Sequence, residues 1–149
     1  MPVRYGVAES PLRIDANIIL RFLTDAPRAL ADRAASLFKA VDAGKCDVIL
    51  EDVVLAEVIW TLASYYGMAK KEIADALLKL LGSQGVTNQD KETLQLALVL
   101  FHEKNLNFAD ALLAARARQT GEGALYSFDK DFDRVPGLTR YMPGAPEAS

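Results

Sequence analysis

Hydrophobic positions along the chain alternate between short β-branched runs and longer stretches with helical spacing, and this alternation carries from about residue 11 to residue 141. PLRID (11–15) predicts a short strand running into a turn at Asp15. NIILRFLTD then predicts a helix that stops before Pro27, because the residue ahead of a proline is pushed out of the helical region. Between Arg28 and Ala43, the positions Leu30, Ala34, Leu37, Phe38 and Val41 share one helical face, and Gly44 supplies a stop. CDVIL (46–50) has the composition of a strand. VVLAEVIWTLASYY (53–66) is too long for one strand, so it predicts a helix buried nearly all round and closed by Gly67. AKKEIADALLKLL predicts an amphipathic helix with Ile73, Leu77, Leu78 and Leu81 inward.

The pattern continues with VTN (86–88) as a short strand and a helix that places Leu94, Ala97, Leu98 and Phe101 on one face. FADALLAARARQ (108–119) predicts a helix ended by the turn GEG, and ALYSF (124–128) the next strand. DKDFDR is a turn or a single helical turn, and a last strand is expected near Leu138 to Tyr141. Strands separated by helical segments imply parallel crossover units, hence an α/β fold with helices on both faces of a sheet. The expected organisation is an N-terminal extension (1–10), one domain (11–142) and a C-terminal tail (143–149).

Composition narrows the class. Hydrophobic residues make up 51% and charged residues 25%, which excludes a disordered chain and a coiled coil. The net charge of −3 gives no general attraction to nucleic acid, so a phosphate partner needs a local site. The single cysteine, Cys46, has no intramolecular partner, no apolar run reaches the roughly 18 residues that span a bilayer, and MPVRYGVAES lacks the apolar stretch of a signal peptide. A cytoplasmic address and no membrane partner are expected.

In an open parallel sheet, ligands bind outside the carboxyl ends of the strands. Asp15 follows the first strand, Asp129 follows ALYSF, and Asp110 stands in the first turn of the helix after NLNF. Glu57, with Thr61 and Ser64, forms a narrow polar stripe on an otherwise apolar helix, where a buried glutamate needs a partner. Carboxylates drawn together repel one another, and a hard divalent cation, magnesium or manganese, neutralises them. Each acid also has a local reading: Asp15 as a helix cap, Asp110 as part of a capping box after Asn107, Asp129 as an Asx-turn residue, Glu57 as a solvated side chain.

RIDANIILRFLTD (13–25) resembles the opening of the PIN-domain nucleases, in particular the VapC toxins of toxin-antitoxin pairs. The similarity continues in order through VVLAEVIWTL around Glu57, NFADALLAARA around Asp110 and LYSFDKDFDR around Asp129, covering about Leu12 to Tyr141. The residues before Leu12 make a longer start than is usual for VapC chains. The resemblance implies a three-layer α/β/α fold with a central, mainly parallel sheet of four or five strands. It also implies a magnesium- or manganese-dependent endoribonuclease whose acidic pocket is Asp15, Glu57, Asp110 and Asp129. Asn17 and Ser127 match the polar positions that orient such a pocket; Asp131 is nearby, but the pattern favours Asp129 as the fourth acid. The expected partners are RNA, a VapB-like antitoxin and a second copy of the chain. Hydrolysis by water would leave 5′-phosphate and 3′-hydroxyl ends.

Arg21 and Arg116 are candidate phosphate contacts, with Arg118 on the same helix, and each has a solvated-surface alternative. Lys70, Lys71 and His102 are expected at the surface or lightly packed, and Trp60, Tyr65 and Tyr66 in the core or at an interface. Two other functions compete. A magnesium-binding receiver or a haloacid-dehalogenase-type phosphatase also gathers aspartates at a sheet edge, but the phosphatase needs an Asp where Asn17 stands, and the receiver's early acidic pair and late lysine are missing. A non-catalytic helical interaction module would use the acids only as caps.

Overall fold

In the computed structural model, residues 2–144 are described; Met1 of the expected extension and residues 145–149 of the expected tail lie outside them. The chain divides into two compact units, residues 1–91 and 92–149.

The first unit runs β1 (Leu12–Arg13), α1 (Ala16–Thr24), α2 (Arg28–Asp42), β2 (Val48–Ile49), α3 (Asp52–Ser64), α4 (Lys70–Leu81) and β3 (Val86–Thr87). Its strands pair parallel in the order β1-β2-β3, with Leu12 opposite Val48 and Val48 opposite Val86. Each strand is short, and the ladder is extended by flanking bonds: Ile14 N–H donates to Ile49 O at 3.1 Å and Leu50 N–H to Thr87 O at 2.9 Å. Two helices fill each crossover between parallel neighbours, which is why the pairing needs long connections.

The helices form where the periodicity predicts them, and their packing follows their apolar faces. Ile19 and Leu20 of α1, Phe38 and Val41 of α2, and Leu55, Val58 and Leu62 of α3 are buried. The Phe22 and Phe38 rings meet at 4.6 Å between α1 and α2. A fully buried leucine or isoleucine contributes about 1.5–3 kcal/mol, so Ile19, Leu55, Leu62, Ile73, Leu77 and Leu81 anchor this unit.

Two expectations about burial are corrected. On α2, Ala34, Phe38 and Val41 are buried as expected, but the inward residue of the first turn is Ala31, while Leu30 is exposed and Leu37 half-buried. α3 is not buried all round: Val53 and Trp60 are 74% and 70% exposed, and Glu57 is exposed between them. The helix is covered on one side only, because α1 and α4 pack against the face of Leu55, Val58, Ile59 and Leu62. Trp60, Tyr65 and Tyr66 lie outside the core, which leaves an interface as their expected place.

The second unit contains most of α5 (Lys91–Glu103), then α6 (Phe108–Thr120), β4 (Ala124–Tyr126), a 3-10 turn over Lys130–Arg134 and β5 (Thr139–Tyr141). β4 and β5 pair parallel with Ala124 opposite Thr139 and Tyr126 opposite Tyr141. Among the described residues the strands number five, within the expected four or five, and they are hydrogen-bonded as a three-stranded and a two-stranded sheet instead of as the single one expected. Leu94, Ala97, Leu98 and Phe101 are buried as the spacing predicts, joined by Leu106, Phe108, Ala111, Ala114 and Ala115. The ring centroids of Phe101 and Phe108 lie 6.4 Å apart edge-on. The architecture is α/β, with parallel strands flanked by helices.

Candidate functional site

Asp15 follows β1 and caps α1: its backbone is extended and its Oδ1 accepts the Ile18 backbone N–H at 3.3 Å. An aspartate here satisfies one of the orphan donors of the first helical turn and complements the positive end of the helix. The side chain stays exposed, so its second oxygen is open to solvent. Asn17 is exposed one residue inside α1, and Arg21 is half-buried one turn further on. Glu57 is exposed on the open face of α3, and this overturns the expectation of a buried carboxylate in need of a partner.

Asp110 is the third residue of α6 and is half-buried. Asn107, the cap of this helix, accepts the Asp110 backbone N–H at 2.8 Å through Oδ1 and donates to Asp110 Oδ2 at 3.0 Å through Nδ2. The expected cap is thus present, with the carboxylate bonded to the cap's side-chain amide. Arg116 and Arg118 lie further along the helix, half-buried and exposed respectively.

Asp129 begins the 3-10 turn, three residues beyond the end of β4, because the strand closes at Tyr126 instead of running through Phe128. Its Oδ1 accepts the Asp131 backbone N–H at 2.8 Å, and its own backbone N–H donates to Ser127 Oγ at 2.9 Å. Ser127 and Asp129 are thus joined by a local bond from backbone to side chain. Asp131 is engaged elsewhere: its Oδ1 accepts from Arg134 at 2.9 Å. Arg140 grips Asp133 through Nε at 2.9 Å and a terminal nitrogen at 3.1 Å, and also donates to Ser127 O at 3.1 Å. That guanidinium holds the Asp133 carboxyl below the usual carboxylate range. The negative neighbours Asp133 and Asp129 in turn raise Arg140, which stays a fixed cation beside the turn.

The donor chemistry of Asp15, Glu57, Asp110 and Asp129 suits a hard divalent cation. Among the described residues, no three His, Cys, Asp or Glu side chains are grouped to hold a metal ion. Nor, among the described residues, does any buried side-chain nitrogen or oxygen lack a hydrogen-bond partner.

A cavity of about 900 Å3 lies beside Asp15 within the first unit. Its wall includes Ile18, Leu37 and Val48 and also Arg4 and Tyr5, which sequence reasoning passed over as part of an extension. The signal available was a basic residue next to an aromatic one, too short a pattern to single out.

The PIN domain family matches residues 13–138, well over half of the chain, and the chain belongs to that family. No curated protein matches it. PIN domains are generally nucleases that use divalent metal ions, so the class of activity is hydrolysis of nucleic acid. No helix among the described residues is long and apolar enough to cross a membrane.

Proposed function

We propose that the chain is a magnesium- or manganese-dependent endoribonuclease and the toxin of a VapBC-type pair, with Asp15, Glu57, Asp110 and Asp129 as its acidic residues. The observation that carries the reading is the family match over 13–138, a span that includes Asp15, Glu57, Asp110 and Asp129.

A bound divalent cation supplies a Lewis acid for a phosphate oxygen and a water of lowered pKa. Asp15, Asp110 and Asp129 offer hard carboxylate oxygens to it. Their present bonds are weak enough to share: the Asp15 cap contact is long at 3.3 Å, and Asp110 bonds through one oxygen to an amide. Glu57, exposed on α3, orients the attacking water or helps hold a second ion. Ser127 fixes the backbone of Asp129, and Asn17 is the second positioning residue. Arg21 and Arg116 receive phosphates of the RNA. A VapB-like antitoxin and a second copy of the chain are the protein partners of this reading, and the cytoplasm is its compartment.

The test is cleavage of RNA with and without magnesium, with the new ends mapped. Products with 5′-phosphate and 3′-hydroxyl ends are expected; cyclic phosphates, or cleavage that persists in chelator, contradict the reading.

A further inference from the structure

Residues 4–10 form part of the wall of the cavity beside Asp15, yet the family match begins only at residue 13, so this wall belongs to the chain's own extension. Tyr5 is held in place while remaining open: the Arg33 guanidinium stands 5.6 Å from its ring centroid, and the residue is 80% exposed. We propose that the cavity receives the base of a nucleotide next to the linkage that Asp15 addresses, with Tyr5 as its stacking platform and Arg4 as the cation for a flanking phosphate.

Three observations converge on this occupant. The volume of about 900 Å3 falls within the range of ligand pockets and holds a nucleotide with room for its flanking phosphate. The lining joins apolar side chains, Ile18, Leu37 and Val48, to the Tyr5 ring, and its charged residues are the cations Arg4 and Arg13 and the acids Glu9, Asp15 and Asp47, so the base rests on the ring and the apolar wall and the phosphate on the arginines. The net charge of −3 leaves the chain without general attraction for RNA, so binding depends on a local ring and cation of this kind. Asp15 on the same wall ties the recess to the proposed chemistry, and in that respect the inference rests on the nuclease reading.

The experiment uses the full chain and a short fluorescein-labelled single-stranded RNA. Binding is read by anisotropy in chelator, and cleavage is read after magnesium is restored. Tyr5→Ala is expected to weaken binding about tenfold and raise KM with kcat unchanged, and Tyr5→Phe to restore both. Arg4→Ala is expected to weaken binding and flatten its salt dependence. Lys71→Ala, whose lysine pairs with Asp75 on α4, is the neutral control. Absent binding by the unaltered chain, unchanged affinity in Tyr5→Ala, or faster cleavage after removal of residues 2–10 (the mark of a cover instead of a binding wall) overturns the proposal. Absent cleavage with the binding changes intact overturns only the nuclease reading.

Discussion

Asn107 and Asp110 hold each other across the first turn of α6, the asparagine accepting from the aspartate backbone at 2.8 Å and donating to its carboxylate at 3.0 Å. One side chain thus caps the helix and orients the acid that the family pattern marks for chemistry. Replacing Asn107 with alanine removes both bonds. Asn107→Ala is expected to cost about 1 kcal/mol of stability, read by chemical denaturation, whereas Asn107→Asp keeps the bond to the Asp110 backbone but sets two carboxylates against each other, so it recovers only part of that loss. Equal stabilities for Asn107→Ala and the unaltered chain would contradict the capping role.

The one-sided burial of α3 predicts a sharp contrast between neighbours on the same helix. Leu55→Ala, at a fully buried position, is expected to cost about 2–5 kcal/mol. Trp60→Ala, on the open face, is expected to change stability by no more than about 0.5 kcal/mol despite the larger side chain lost. Comparable losses in the two variants would mean that the open face is covered in solution.

Gly85 is required by space. A Cβ there would meet Val41 Cγ1 at 2.6 Å and Cys46 O at 3.1 Å, next to the bond from Val48 N–H to Gly85 O that leads into the β2–β3 pairing. Gly85→Ala forces the strand entry or α2 to move and is expected to destabilise by about 1–3 kcal/mol, measured as a shift in the denaturation midpoint. A stability gain, the usual effect of alanine for glycine at an unstrained and open site, would contradict the packing described.

The Arg140–Asp133 pair gives the stability a pH dependence of known sign. Arg140 lowers the Asp133 carboxyl below its ordinary value of 3.8, so the stabilisation is fully present above that value and is lost as pH falls through the lower folded value. Arg140 itself is raised above its ordinary value by Asp133, so its share is present at every lower pH where the carboxylate survives. Asp133→Asn should therefore lower Tm at neutral pH, with the gap to the unaltered chain closing in strong acid. A gap independent of pH would show that the pair contributes through shape and not charge.

Much of this fold was legible because helical spacing is a strong local signal. Leu94, Ala97, Leu98 and Phe101 are buried together as their spacing requires, and the caps at Asp15 and Asn107 follow from side chains that reach only their own helix. What was not legible depends on contacts distant in sequence. The composition of α3 looks fully buried, and only the positions of α1 and α4 reveal that Trp60 and Val53 are left open and that Glu57 is a surface carboxylate. On α2, Leu30 and Ala31 are both apolar, and tertiary packing selects the smaller. The division of the strands into two hydrogen-bonded groups is likewise invisible to periodicity, which reports each strand and not its neighbour. Asp15, Asp110 and Asp129 make the local bonds of ordinary cap or turn residues, so the sheet-edge pattern could mark them only as candidates and their joint reading rests on the resemblance.

The central claim is that these carboxylates serve a cation that turns water against an RNA linkage, and the most direct measurement is the cleavage rate of Asp15→Asn and Asp110→Asn at saturating magnesium. Both variants keep side-chain oxygens of nearly the same shape for capping, so circular dichroism and Tm should stay close to those of the unaltered chain. The account predicts a rate loss of at least about a hundredfold in each, roughly 2.7 kcal/mol of transition-state stabilisation. Full-rate cleavage by either folded variant would contradict it.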